Sequence, residues 1–554
     1  MNHDHDHDHD HDHDHDHDHD HTHQYGGMRA MSAHVSDSFS RETAGLTDAA
    51  APVIVELRDG DTFELTARPV RKQIGGATVR MLAYNGSIPG PVLRVPQGAQ
   101  VTVHFTNQTD LETTVHWHGL RLDNAFDGVP RGHPHHGMQR PVAPGESFTY
   151  RVRFPDPGVY WYHPHIREDY AQETGLYGNI VVVPIASDPA YWSPVNRELA
   201  LTLDDILIEG GDVPAYSRAE SNHTAMGRFG NVMLINGEQA PAYALETNRG
   251  EVIRLYLTNT ANVRIFNVSI PGARMKLVGR DHGRVEREEI IEQVMLAPSE
   301  RAVVEVLFDR SGEFALEHRT PERSYRLGTI RVREQHIERS YERESGIQRQ
   351  SAELAAERRQ IEADFERAAD KTLALVGEMP GMTHHDHHGH GGHTEYMAHM
   401  EHAGHEMHGE HGMHASSVDD GRIEWEDTMP EMNALSTPQN MVWKLIDRET
   451  GDANHDIWWS FKAGDRVKVR IVNEPDSDHP MQHPIHFHGQ RFLVLSRDGA
   501  RNPNLAWKDT ELVEAGQMTD VLVEMSNPGI WMSHCHIAEH LEGGMMFSFE
   551  VEGR

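Results

Sequence analysis

The chain has 554 residues, room for about three or four domains of ordinary size, and 51 Lys and Arg against 86 Asp and Glu give a formal charge of −35 with its 44 histidines neutral. That balance argues against a nucleic-acid partner, whose phosphates need a basic surface, and no apolar run approaches the ~20 residues of a membrane span. The single cysteine, Cys535, can form no intrachain disulfide.

Residues 3–21 alternate His and Asp without interruption. No core can be built from that pattern, which reads as a metal-affinity or solubility tag, with a natural metal-binding repeat as the alternative. Residues 1–51 are expected to be tag and flexible N-terminus. Short β-prone runs punctuated by Gly and Pro follow, as in all-β sandwiches. Three of them match in register: Gly98 to Asn107, Gly250 to Asn259 and Gly464 to Asn473 each run glycine turn, alternating strand, terminal Asn. Repetition on this scale predicts three similar domains, over 52–190, 191–335 and 431–554, and not a solenoid of short repeats. His104, inside the first of these strands, reads as a solvent-facing histidine.

A second feature recurs later in each copy. Pro157-Gly158 leads through an aromatic strand to His163-Pro164-His165, and Pro528-Gly529 leads to His534-Cys535-His536, five residues from glycine to first histidine in both. The middle copy, Ser311-Gly312 to Glu317-His318-Arg319, lacks the paired histidines, so His318 and His282 read as ordinary residues of a scaffold domain. His116-Trp117-His118-Gly119 and His486-Phe487-His488-Gly489 precede the later pairs by 45 and 46 residues. One His-x-His is weak evidence; four at matched spacing are strong. Eight imidazoles suit a cluster of about three metals with open positions for a small ligand, since imidazole serves copper well.

Residues 336–430 separate the second and third units as a helical and His/Met-rich insertion. Ile347, Leu354, Ile361, Phe365 and Ala368 make a single apolar stripe, which predicts one helix over 333–376 lying on a surface and ended by Gly377 and Pro380-Gly381. From Met379 to His414 come twelve histidines and six methionines. A tract so poor in core-forming residues is expected to be mobile. Its thioethers suit Cu(I) and its imidazoles Cu(II) or Zn, making residues 379–414 a candidate for extra copper, with a passive linker as the plainer reading.

The stretch from Trp531 to Met545 holds the chain's one thiol among histidines. Thiolate, imidazole and a weak thioether form the ligand set of an electron-transfer copper site, and Cys535, His540 and Met545 supply three of its four members. With His534-Cys535-His536 at a strand end, Cys535 faces one way and both flanking histidines the other.

Together these motifs resemble the multicopper oxidase family in its three-domain, laccase-type form, over about residues 52–335 and 431–554. The resemblance implies an all-β fold of three cupredoxin-like Greek-key sandwiches and four copper ions. By motif position, type 1 copper takes His483, Cys535 and His540 with Met545 axial, and type 2 takes His116 and His486. One type 3 copper takes His118, His163 and His536; the other takes His165, His488 and His534. The implied reaction passes single electrons from a small reductant, through Cys535 to His534 or His536, for four-electron reduction of O2 to water. Asp127, nine residues after His118, stands where related enzymes place a proton-handling acid; before Gly128 it also reads as a turn former. Many bacterial relatives carry an acid immediately after the second type 1 histidine, but here that residue is Leu541, leaving Glu539 and Glu542 as substitutes.

The axial methionine implies a low potential, hence phenols and Cu(I) as reductants. The Met-rich insertion is similar to those of bacterial cuprous oxidases. The runner-up readings are a dedicated cuprous oxidase or ferroxidase for metal detoxification, and a non-enzymatic copper-storage protein, which would not need the His534-Cys535-His536 bridge. By resemblance the chain is expected to be periplasmic or secreted, and monomeric.

Overall fold

A computed structural model describes residues 37–130, 139–185, 188, 190–380 and 421–553. Six sheets form three pairs along the chain. The first pair joins a five-stranded sheet containing His116–His118, Gly158–His163 and Gly178–Val183 to a four-stranded sheet built on Thr62–Ile74 and Gln100–Asn107. Strand Thr62–Ile74 alternates buried and exposed residues over its first half, the signature of one face on a core and one in water. The second pair spans Arg197 to Arg333, and the third holds the strands from Lys371 to Glu552.

The repeated glycine–strand–Asn unit does the same job three times. Gln100–Asn107, Val252–Asn259 and Asp465–Asn473 each run antiparallel to Ser147–Arg153, Arg301–Leu307 and Met518–Met525 in their own sheets. Each terminal Asn side chain then donates to two loop carbonyls. Asn107 Nδ2 reaches Leu111 and Val142 at 2.8 Å, and Asn259 Nδ2 reaches Arg264 and Leu296 at 2.8 Å. Asn473 Nδ2 reaches Met481 at 2.7 Å and Val513 at 3.2 Å. All three are buried, where an amide left without partners would be costly. In the third unit this fastens the chain two residues before His483.

Three expectations are corrected. Residues 37–51 are part of the fold: Phe39 is buried, stacked on Tyr170 with ring centroids 3.9 Å apart, and Asp48 and Ala50 make bridges to Arg71 and Ser87. The single helix over 333–376 does not form. Two short helices, Glu342–Ser345 and Ala352–Gln360, and a 3-10 turn, Glu362–Phe365, are followed by strand Lys371–Glu378. The stripe itself packs down on the third unit, with Leu354, Ile361 and Phe365 buried against Leu493, Leu495, Leu505 and Trp507 while Ile347 stays exposed. Heptad-like spacing survives because two short pieces turn the same residues toward one sheet, with Ser351 capping the second helix at Leu354 N. Finally, Lys371–Glu378 pairs with Val442–Asp447 and with Asp465–Asn473. The third unit therefore begins well before residue 431, and the His/Met tract enters from its second-to-edge strand. Residues 381–414 of that tract lie outside the described residues.

Candidate metal centre

The pleat sorts the ligand-type residues. Strand His483–Phe487 lies antiparallel to Gly529–Cys535, with Ile485 opposite Cys535 and His486 opposite His534. Side chains opposite each other share a face, so His483 falls on the Cys535 face and His486 on the His534 face. In the first unit His116 lies opposite His163 across the pair His116–His118 and Gly158–His163.

On one face, Cys535 Sγ lies 3.5 Å from His483 Nδ1 and 3.6 Å from His540 Nδ1, and the two nitrogens are 3.3 Å apart. Met545 is buried in the same core, and its carbonyl accepts from Cys535 N at 3.1 Å. On the other face the eight histidines of the first and third units converge. One ligand atom each from His118, His163 and His536 lies within 4.8 Å of the others; so it does for His165, His488 and His534, and for His116, His118 and His486. His118 and His486 stack across the boundary at 3.9 Å.

The hydrogen bonds show which ring nitrogen is kept for another purpose. His116 Nδ1 bonds the Asp127 carbonyl at 2.8 Å, His163 Nδ1 the Pro164 carbonyl at 2.7 Å, and His486 Nδ1 the Asp509 carbonyl at 2.8 Å. The Nε2 of each has no hydrogen-bond partner among the described residues. His118 is reversed: Nε2 faces Asp509 Oδ1 at 3.0 Å, and Nδ1 is bare. His488 Nε2 and His534 Nε2 point at each other 3.0 Å apart. Buried ring nitrogens are rarely left unsatisfied, and a bound second nitrogen fixing the tautomer is the pattern of metal-ligating histidine. Burial holds His118, His163, His488 and His536 well below their ordinary range, with neighbouring imidazoles adding to it. The rings are neutral, as ligands must be. The donor set of eight imidazoles on one side and thiol with two imidazoles on the other fits copper.

Family models described as multicopper oxidase match residues 67–187, 196–343 and 424–554. The chain belongs to the multicopper oxidase family. Among its relatives is multicopper oxidase MmcO of Mycobacterium tuberculosis, 26% identical over 93% of this chain and 92% of that protein. Copper resistance protein A of Escherichia coli is 24% identical over 90% and 94%. A solved multi-copper oxidase from Pseudomonas thermotolerans superposes with a TM-score of 0.61 at 25% identity, covering 90% of this chain and all of that one. As a multicopper oxidase, this chain is a copper-dependent oxidoreductase that couples oxidation of a small reductant to reduction of O2 to water. No helix among the described residues is long and apolar enough to cross a membrane.

The acids fall in unequal places. Asp127 is buried, its Oδ2 2.9 Å from His488 Nδ1 and its Oδ1 3.3 Å from His116 Nδ1. Sequence reading missed two further acids. Glu168 is buried with Oε1 3.4 Å from His165 Nδ1 and Oε2 3.9 Å from His163 Nδ1, and burial pushes its carboxyl well up. Its only signal was its position three residues after His165. Asp509 had none, because its partners come from elsewhere in the chain. It faces His118 Nε2, has Oδ2 2.9 Å from His282 Nε2, and is clasped by Arg301, whose Nη1 is 2.7 Å from Oδ1. His282 of the second unit, expected to be plain scaffold, therefore stands one residue removed from the cluster. Of the substitutes for the acid absent at Leu541, Glu539 is buried, accepts from Asn262 Nδ2 at 2.6 Å and is pushed up by burial to about 8. Glu542 is exposed at the end of the short helix Ala538–Glu542.

Proposed function

We propose that this chain holds four copper ions, one type 1 on His483, Cys535, His540 and Met545, one type 2 on His116 and His486, and two type 3 on His118, His163, His536 and His165, His488, His534. It is proposed to act as a laccase-like oxidase of phenols and Cu(I). The observation that carries this is the position of Cys535: its thiol belongs to one ligand group while its chain neighbours His534 and His536 belong to the other. A storage protein has no use for that bond path.

Copper, when bound, supplies one-electron exchange with the reductant and the reduction of O2. The chain supplies position and protons. The Asp127 and Asp509 carbonyls fix the tautomers of His116 and His486, so each presents Nε2 inward. Asp127 Oδ1, which has no hydrogen-bond partner among the described residues, is the atom at which that carboxyl takes up and releases a proton. Glu168 is a second proton holder beside His163 and His165.

A specific observation favours Cu(I) among the reductants. Met379 and Met429 pack half-buried on the core that contains Met441, Met481 and Trp443, next to the Cys535 group, and soft thioethers select Cu(I). Met379 is also where the His/Met tract begins, and the name of one relative is copper resistance protein A. By family resemblance the protein is proposed to be periplasmic or secreted, and a monomer. O2 uptake measured with 2,6-dimethoxyphenol and with Cu(I), on protein whose copper content is known, tests the reading. Four coppers per chain, an intense blue thiolate band and uptake with both donors are expected. Deleting 379–414 should raise the KM for Cu(I) and spare the phenol; an equal loss on both would make the tract a general structural element.

A further inference from the structure

The second unit contributes no residue to the ligand groups, yet the tip of one of its hairpins reaches them. Strands Arg274–Arg280 and Gly283–Ile291 are joined by Asp281-His282. Backbone contacts wedge this tip between the other two units: Val159 N donates to the Asp281 carbonyl at 3.3 Å, and His282 N donates to the Trp507 carbonyl at 3.2 Å. Gly158 makes the fit possible, since a Cβ there would stand 2.6 Å from the Asp281 carbonyl oxygen.

The His282 side chain is fully buried, and its two nitrogens face different units. Nε2 lies 2.9 Å from Asp509 Oδ2 of the third unit. Nδ1 lies 3.3 Å from the hydroxyl of Tyr160 in the first, which is also 3.2 Å from the Asp156 carbonyl. Arg301 is bonded to both Asp509 oxygens, an ion pair with a carboxylate that can only accept. The proton of the neutral ring therefore sits on Nε2, and Nδ1 accepts from the Tyr160 O–H. In this tautomer the ring is a strut from Tyr160 to Asp509. The other Asp509 oxygen, Oδ1, is the one that lies 3.0 Å from His118 Nε2.

We propose that His282 is a positioning residue for the oxygen-reducing cluster: it holds Asp509 Oδ2 so that Oδ1 stays on His118, and the second unit thereby sets the geometry of a metal site to which it gives no ligand. The inference rests on the copper assignment above. Arg301 grips both oxygens as well, but its Nη1 shares Oδ1 with His118. His282 engages Oδ2 and keeps the carboxylate from turning that oxygen toward the cluster. A ligand histidine depends on what holds its second nitrogen for ring orientation and for donor strength. Loss of His282 is therefore felt at His118 and, through the Asp509 carbonyl, at His486.

The test compares His282→Leu with His282→Gln in the full chain. The Gln amide nitrogen reaches the place of imidazole Nε2 and donates there, but it does not titrate. In His282→Leu, affinity for the copper outside the blue site should fall roughly tenfold or more, with the blue band at parent strength as the internal reference. The type 2 electron paramagnetic resonance signal should shift. Anaerobic bleaching of the blue band by hexacyanoferrate(II) should run at the parent rate, while its return on adding O2 should slow roughly tenfold. His282→Gln should restore all three to near parent values. Tyr160→Phe removes the hydroxyl that fixes the tautomer; it should shift the type 2 signal in the same direction, and it stands in if His282→Leu folds poorly. In the copper-free chain, the unfolding losses of His282→Leu and Asp509→Asn should be less than additive, because both break one contact. Parent-like affinity, signal and reoxidation in His282→Leu, or additive unfolding losses, would overturn the proposal. So would a His282→Gln variant that keeps its copper yet reoxidises as slowly as His282→Leu, since that pattern means proton transfer by the ring. A copper-loaded parent that takes up no O2 ends the oxidase reading, and the affinity, the type 2 signal and the unfolding comparison still decide the role of His282.

Discussion

Asp127 and Asp509 are placed as mirror counterparts across the boundary between the first and third units. Each holds the first histidine of its own His-x-His pair with its backbone carbonyl, His116 and His486 respectively, at 2.8 Å. Each then turns its carboxylate to the second histidine of the other unit, Asp127 to His488 at 2.9 Å and Asp509 to His118 at 3.0 Å. The cluster is thus fastened crosswise by two acids, and only one carries a permanent counter-charge. Burial pushes Asp509 up, but the Arg301 guanidinium beside it outweighs this and holds its carboxyl well below the usual range. No lysine or arginine pairs with Asp127 among the described ion pairs.

Asp127→Asn should therefore act on proton handling more than on assembly. Asn keeps an oxygen for His488 and leaves the backbone carbonyl untouched, so copper content should hold. Turnover should fall by about 10²-fold, the low end of a general acid–base contribution. Normal kcat with full copper would return Asp127 to a turn-forming role.

Asp509→Asn should act the other way. It leaves Arg301, fully buried and bonded also to Val159 and Ser299 carbonyls, without its main anion. Removing one partner of a buried pair costs about 3–5 kcal/mol. Denaturant unfolding should show that loss in the copper-free chain, and affinity at the His118 and His486 positions should weaken by roughly 10–100-fold.

Copper uptake by the Cys535 group should depend on pH in a defined way. Burial pushes the Cys535 thiol up, so the copper-free chain keeps it protonated. Burial holds His483 down at about 3 and His540 lower than its ordinary range by a wide margin, so neither brings a proton to displace above about pH 5. Binding releases one proton, and the apparent affinity should rise about tenfold per pH unit. Equilibrium titration of the blue band between pH 5 and 8 measures the slope; a slope near two would mean that one of the histidines titrates. Cys535→Ser should abolish that band and the turnover while most of the remaining copper stays bound.

Phe365→Ala tests the packing of the 333–376 segment on the third unit. Phe365 is buried beside Trp507 and Leu493, with Arg501 over its ring at 4.8 Å. Truncation should cost about 3–5 kcal/mol. Ile347→Ala, at an exposed position, should stay within about 0.5 kcal/mol.

The copper-free chain should also be stable only in a narrow pH window. His223, His318 and His483 are held down at about 3 by burial. Their stabilising contribution is complete above the unfolded value of about 6.5 and is lost as pH falls toward 3. Asp204 and Glu539 are pushed up by burial to about 8; the folded state holds their protons, and that advantage is lost as pH rises from about 4 to 8. Denaturation midpoints should peak near pH 5–7 and fall on both sides, and copper should widen the acid side by occupying the imidazoles.

The sequence alone determined what is local. Period-two alternation and glycine turns act within a few residues, so three β-sandwich units and four His-x-His pairs could be read directly, as could the split of Cys535 from His534 and His536 by the pleat. Only the tertiary structure decided what depends on residues far apart in the chain. Asp509 gains its meaning from His118, 391 residues away. The stripe of Leu354, Ile361 and Phe365 reads as part of one long helix but lies on the short helix Ala352–Gln360 and the 3-10 turn after it, and Lys371–Glu378 shows itself as a strand only by pairing on both sides. A side chain's partners across a domain boundary leave no periodicity in the sequence, because the contact is made by packing and not by spacing.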